Sequence, residues 1–457
     1  MFIPPYARLP ISMGLAFVLL IVVSVSPAHA QSNGDGSIYS RYGLGSLTSF
    51  SSSQSQALGG GGYALRSLNY NPTGNPALWS DQVFTRLSAG ATYRRISATE
   101  GGNESSLLSS GNIEAFQLSF PLYKRKLGVG LTFQPYTQHN YRLRSRSSLE
   151  GGTIGPQPYT KNFRGKGGLY TFRGGLGYRI NETVSVGASA DVLFGIVESE
   201  RTTSFDASTS LRTVSISDAT RLVGFTGTVG THLAFADVLR ENDALSVGAA
   251  VALPANLSGT RVLTRDENRD LVPDTLASMD GDVTLPWRSR LGVSYQPNSR
   301  WIFTLDGLYE PWSTFGSTFG QSGSFQTFFP IGIQTPQGED DIAGEELLTD
   351  RWRLSVGAEV LPGANTPLSG FLANIAYRLG AYTERLYVRP DAATSLQTYA
   401  ATAGFSFPTS LSGTRIDLNL EAGTRGTTTG SFVRDNFYGV SLHVNFGERW
   451  FRERKLR

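Results

Sequence analysis

The sequence predicts an all-β fold, a transmembrane antiparallel β-barrel of about 14 strands behind an N-terminal plug segment. Three observations predict it. Apolar and polar residues alternate with period two through most of the chain, as they do when successive side chains of a strand point to opposite faces. The alternating segments run to about 12–20 residues, against roughly 5–6 for a soluble strand. Their polar face carries full charges at strand centres, which a wet lumen tolerates and a packed core does not.

Residues 1–30 read as a signal peptide. Arg8 supplies the positive start, Ile11 to Ser26 is apolar or small, and Ala28-His29-Ala30 offers a cleavage site before Gln31. A membrane anchor is the other reading; the apolar stretch sits near the minimum span, and no stop-transfer charge cluster follows it. After Ala30 no apolar run approaches the roughly 18 residues of a spanning helix. An exported chain that crosses a membrane must then do so as a closed barrel, which predicts the bacterial outer membrane. The length of 457 residues exceeds the roughly 250–300 at which single soluble cores stop growing, a limit that a lipid-facing wall escapes. With no cysteine, disulfides, thiolate metal sites and a Cys nucleophile are excluded. Net charge is +3, and no basic stripe argues for nucleic acid.

Residues 31–81 are rich in Gly and Ser and poor in alternation. Gly59-Gly60-Gly61-Gly62 lets a backbone pass close to a wall or take positive φ. Asn71-Pro72 and Asn75-Pro76-Ala77 are two turns, since proline fixes φ. Together they suit a compact plug; an unstructured leader is the alternative.

The barrel is expected over 82–446, with strands at 82–97, 112–121, 126–144, 164–180, 183–203, 213–235, 244–264, 279–296, 301–315, 350–361, 370–386, 396–408, 413–426 and 430–446. In the last of these Tyr438, Val440, Leu442, Val444 and Phe446 share a face opposite Gly439, Ser441, His443 and Asn445. Short connections (Leu122–Arg125, Asn181-Glu182, Pro297–Arg300, Thr409–Ser412) mostly alternate with long ones (Ser145–Phe163, Arg265–Ser278, Gly316–Thr349), as periplasmic turns do with external loops. Residues 447–457, basic and aromatic, are expected as a periplasmic tail.

The Gly-rich run Gly59–Gly62 with Ala64, followed by Asn75-Pro76-Ala77 just before the first strand, resembles the FadL family of outer-membrane long-chain fatty-acid transporters. The segment Leu285-Pro286 to Leu291-Gly292-Val293-Ser294-Tyr295 is similar to a strand of that family. The Glu448-Arg449-Trp450-Phe451 ending departs from a terminal Phe, so Phe446 is the candidate for recognition by the barrel-assembly machinery. The resemblance implies a 14-stranded barrel with a hatch, apolar ligands captured outside, and release sideways through a gap at a kinked third strand. Here the third strand contains Gly128, Gly130 and Pro135, and Pro135 removes a ladder donor. Either Pro135 marks the lateral gate or it ends the membrane-crossing part at the rim.

Phe315, Phe319, Phe325, Phe328 and Phe329 crowd one external loop, as a greasy capture groove or as loop-on-loop packing. Arg288, Arg290 and Arg353, with Arg173, face the expected lumen and suit a ligand carboxylate, or else pair with Asp191, Asp306, Glu359 or Glu421. Asp266, Asn268, Asp270 and Asp274 have calcium-loop spacing, but Leu271 and Ala277 stand where such a loop needs Gly and an acid, so a solvated acidic loop is the other reading. The sequence has no Gly-x-Ser-x-Gly elbow, phosphate loop or His-Glu-x-x-His pattern. The expectation is therefore a non-enzymatic outer-membrane channel for hydrophobic small molecules, working by passive diffusion without a cofactor. Its partners would be an apolar ligand, outer-membrane lipids and, in biogenesis, the barrel-assembly machinery. A structural or surface-interaction barrel and an outer-membrane lipid hydrolase, using His139 or His443, are the rivals.

Overall fold

The computed structural model describes residues 36–101, 105–149, 157–205, 211–267, 273–319, 348–364, 366, 370–389, 394–409, 411, 413–428 and 432–448. The expected signal peptide and the tail beyond Glu448 lie outside them. The wall is a closed antiparallel barrel of 14 strands. A short plug strand β1 (Ser46–Leu47) and helix α1 (Ser53–Ala57) precede it. The wall then runs β2 (Thr85–Glu100), β3 (Ser105–Tyr123), β4 (Leu127–Pro135), β6 (Tyr141–Leu149), β7 (Gln157–Arg179), β8 (Val184–Phe205) and β9 (Val214–Ala236), with the short β5 (Thr137–Gln138) leaving it between β4 and β6 to pair with β1. It continues through β10 (Ala244–Ala252), β11 (Ala255–Glu267), β12 (Asp274–Leu285), β13 (Arg288–Asn298), β14 (Trp301–Glu310), β15 (Gly316–Ser317), β16 (Arg351–Val360), β17 (Ala376–Arg385), β18 (Gln397–Pro408), β19 (Arg415–Gly426) and β20 (Val433–Glu448).

Pieces β4 and β6 make the third crossing, β10 and β11 the seventh, β12 and β13 the eighth, β14 and β15 the ninth. The ring is sealed by β2 against β20, from Thr85 opposite Glu448 to Glu100 opposite Val433. Outward residues such as Leu87, Phe172, Leu176, Phe225, Leu305, Val356, Leu379 and Tyr438 are exposed and apolar, while inward Ser119, Thr228, Thr398 and Asp417 are buried. Apolar side chains outside and polar ones inside is the arrangement of a wall in lipid.

Several boundaries differ from the sequence reading. The first strand is shifted to Thr85–Glu100 and the last runs to Glu448, two residues into the expected tail. The span Ser145–Phe163 is not all loop, because β6 and β7 continue as a hairpin to Leu149 and from Gln157. Ladder bonds hold these polar residues in strands beyond the apolar band. The expected third strand 126–144 is broken at 136–140.

That break has a local cause. Pro135 brings no amide, and the next residues turn inward, where Thr137 and Gln138 pair with Leu47 and Ser46 of the plug. On its β3 side, β4 pairs only from Tyr123 opposite Leu127 to Phe116 opposite Phe133. Above that, β6 pairs with β7, and among the described residues it has no register with β3. The seam between second and third crossings is therefore open toward the outside. A second irregularity lies across the barrel: Leu253-Pro254 and Pro286-Trp287 interrupt the seventh and eighth crossings at the same height, between Ala252 opposite Arg288 and Ala255 opposite Leu285.

Candidate functional site

The plug, residues 36–81, fills the lumen and is held by side chains the wall turns inward. Helix α1 starts on a capping box, with Ser52 accepting from the Ser55 amide and Ser55 from that of Ser52. Its Ser53 donates to Asp417 at 2.6 Å and its Gln54 to Glu359 at 2.7 Å. The tetraglycine then threads between two wall charges. Asp306 accepts from the Tyr63 amide at 2.9 Å, and Arg353 donates to the Gly59 carbonyl at 2.7 Å. Gly59, Gly60 and Gly62 have φ of 90°, 92° and 83°, and a side chain on Gly61 would meet Asp306. No other residue type fits that path without strain.

Asn75 caps the 3-10 turn Pro76–Asp81 by accepting from the Ala77 amide at 3.1 Å, and donates to the carbonyls of Tyr63 and Thr231. The turn lies against inward glycines of the wall: a β-carbon on Gly187 or Gly177 would strike the Pro76 backbone. Gly128 and Gly130, expected at the gate, make room for Trp79, which is fully buried. Asn71 is also buried, though neither side-chain amide atom has a partner among the described residues.

The lumen arginines expected to face a ligand carboxylate have partners inside the protein. Arg173 forks onto Asp191 at 2.7 and 2.8 Å and reaches the Thr73 carbonyl. Arg353 pairs with Glu384 at 3.0 Å and covers the Tyr382 ring; Arg288 pairs with Glu310. Arg290 donates to the Gly74 carbonyl at 3.4 Å and lies over Tyr63. Arg173, Arg353 and Arg290 tie wall to plug, while Arg288 pairs within the wall.

Above this polar layer the lumen becomes apolar. Phe315 and Phe319 are buried there with Tyr39, Tyr42, Leu44, Leu169, Leu257, Trp312 and Tyr387. The plug and six or more distant strands contribute, so sequence reasoning saw only the two phenylalanines; the isolated Trp312 after Pro311 was the available signal. Phe325, Phe328 and Phe329 lie outside the described residues. Below this apolar cluster a narrow cleft runs from Tyr136, on the broken third crossing, to Leu253 and Pro286, with Arg173 and Arg288 in its lining.

Of the calcium candidates, Asp266 and Asp274 sit at the facing ends of β11 and β12, while Asn268 and Asp270 lie outside the described residues. His139 is 3.0 Å from Ser199, the pair a hydrolase would use, but its ring is wholly buried against Tyr141. His443 pairs with Glu114 at 2.8 Å and stacks on Phe50 of the plug.

A family model described as BamG matches residues 13–457. No match is found among curated protein sequences. Among solved structures, a Pseudomonas aeruginosa FadL homologue is similar over 88% of this chain and 99% of its own, at 12% identity and a TM-score of 0.55. The CymD monoaromatic hydrocarbon channel covers 90% and 100%, at 16% identity and 0.52. The Ralstonia pickettii toluene transporter TbuX covers 88% and 99%, at 16% identity and 0.50. At such identities the likeness is one of fold: a plugged barrel of the FadL type.

Proposed function

The chain belongs to the BamG family, and from that premise and the side-notched, plugged barrel we propose an outer-membrane channel for hydrophobic small molecules. The observation that carries it is the open seam between β3 and β6, at the level where the apolar chamber meets the polar plug. An apolar solute in the chamber has two ways out. Downward it must cross charges and amides that would lose their partners, at a cost of about 1–3 kcal/mol for each buried group. Sideways it enters lipid, its own solvent. Movement is passive and needs no cofactor, with Pro135 as the lateral gate. Aromatic hydrocarbons, such as the monoaromatics of CymD and the toluene of TbuX, and fatty acyl chains are the ligand classes we propose.

The deciding experiment locks the plug. Ser53 Oγ lies 3.1 Å from Asn445 Nδ2 and the chain has no native cysteine, so S53C/N445C, with its cross-link verified by mass spectrometry before flux is measured, joins α1 to the closing strand alone. In liposomes, lateral release predicts toluene or oleate flux through the oxidised variant equal to that of the reduced one. Loss of flux on oxidation, restored by reductant, would mean that the plug must leave.

The dense filling of the chamber by Tyr39, Tyr42, Leu44 and Trp312 favours a second reading, a barrel that serves as a fixed platform for other envelope proteins. The barrel-assembly machinery, the partner expected in biogenesis, is then the first to test, by cross-linking in intact cells. Absence of any flux together with a specific cross-link would select this reading.

A further inference from the structure

Four pieces of the wall stop at one level. Measured from the periplasmic turns, β4, β10, β13 and β14 have 9, 9, 11 and 10 residues. Each stops at or close to a proline: Pro135, Pro254, Pro286 and Pro311. At about 3.3 Å per residue and a tilt near 40°, they rise about 23–28 Å, the height of an apolar band of about 25 Å. The breaks therefore face the outer edge of the hydrocarbon.

Pro135 belongs to the notch. The other three prolines lie in adjacent crossings, the seventh to ninth. The register that sets Ala252 opposite Arg288 and Ala255 opposite Leu285, continued between them, brings Pro254 opposite Pro286, and neither has an amide proton to give. Leu253 turns its own amide the other way, to the Gly227 carbonyl of β9 at 2.9 Å. Between the eighth and ninth crossings the ladder stops at Ser289 opposite Tyr309 and resumes at Thr284 opposite Gly316. The chain between Tyr309 and Gly316 forms the 3-10 turn Trp312–Thr314, which buries Trp312 inside. Side chains rather than ladder bonds thus close the wall here, with Leu253 and Trp287 exposed outside and Ala255 and Leu285 buried within.

Inside, the narrow cleft that begins at Tyr136 ends on this belt, at Leu253, Leu285 and Pro286. Arg288 lies over the Tyr136 ring, 5.0 Å from its centroid, and pairs with Glu310, so one guanidinium touches both the notch and the ninth crossing. Rings flank the belt on both sides: Trp287 and Tyr309, 5.7 Å apart, and Trp312 and Phe315, 5.8 Å apart.

We propose that the proline belt of the seventh to ninth crossings is a second side port, through which the lumen takes up small apolar molecules dissolved in the outer leaflet, aromatic ones first. Its cargo rests on the channel reading; its position rests on the wall alone.

The test reads entry rather than transport. Full-length protein in liposomes is irradiated with trifluoromethyl phenyl diazirine dissolved in the lipid, and adducts are mapped by mass spectrometry. P135V closes the notch, so lipid-borne probe then reaches the inward Leu285 through the belt. In that background Leu285 should still be labelled. Adding P254V and P286V, which returns both amides, should cut its labelling about tenfold, the weight of two ladder bonds. The outward Leu291, 61% exposed, should label equally in every variant. Heat-modifiable gel mobility reports folding; should the triple variant fail, P135V/P286V, with one amide returned, should lose about threefold. An unlabelled Leu285 in P135V, or labelling that the belt substitutions leave unchanged, would overturn the port, and toluene flux through wild type would still stand for the channel. Labelling that follows the belt while wild type passes no toluene would support the port and remove the channel instead.

Discussion

Arg353 serves three partners at once: the Glu384 carboxylate, the Gly59 carbonyl and the Tyr382 ring. Nothing in the sequence distinguishes such an anchor from an arginine waiting for a ligand, because both need an inward position on an alternating strand. The difference lies in what the plug brings to it, and that is a tertiary fact. Asp306 plays the matching role for the Tyr63 amide. Asp306→Asn, which turns an acceptor partly into a donor, should cost about 1–3 kcal/mol and lower the midpoint of thermal unfolding. Gly187→Leu should instead displace the Pro76 turn, so limited proteolysis should cut the plug while the wall keeps its heat-modifiable mobility. In the turn after β9, partial burial pushes the Asp243 carboxyl up, but the amides of Leu239, Val238 and Arg240 outweigh it and hold it below the usual carboxylate range. A depressed value means that the turn gains stability above the unfolded carboxylate range near 4 and loses it as pH falls through the folded value. Hydrogen exchange at those three amides should therefore speed up in acid relative to Asp243→Asn, which has no such dependence.

At the scale of elements, the third crossing shows how far the pattern carries. Alternation located the strand, and Pro135 gave notice that a ladder donor was missing. The inward turn at 136–140 could not be read, since it depends on β1 supplying the edge that β3 gives up. The same limit hid the paired interruptions at Pro254 and Pro286, which become one feature only when register sets them side by side. Pro135→Val restores an amide where the wall lacks one, and under lateral release it should lower flux through liposomes several-fold while leaving the fold intact. Unchanged flux would remove Pro135 from the path. Gly128 and Gly130 teach the converse: glycine in a strand signals a close approach, but not what approaches, and here it is Trp79.

For the whole molecule, strand number and the inside-out distribution of polarity were legible because each crossing repeats the same physics: lipid on one side, water and plug on the other. The plug itself was legible as composition, Gly and Asn-Pro turns, but its seat was not. The wall is also uneven in height. Strands β7, β8 and β9 have 23, 22 and 23 residues, whereas β16, β17 and β18 have 10, 10 and 12. At about 3.3 Å per residue and a tilt near 40°, the first three strands rise about 30 Å further than the last three. The notch between β3 and β6 stands beside these tall strands, so whatever passes through it meets first the neighbours already dissolved in the bilayer.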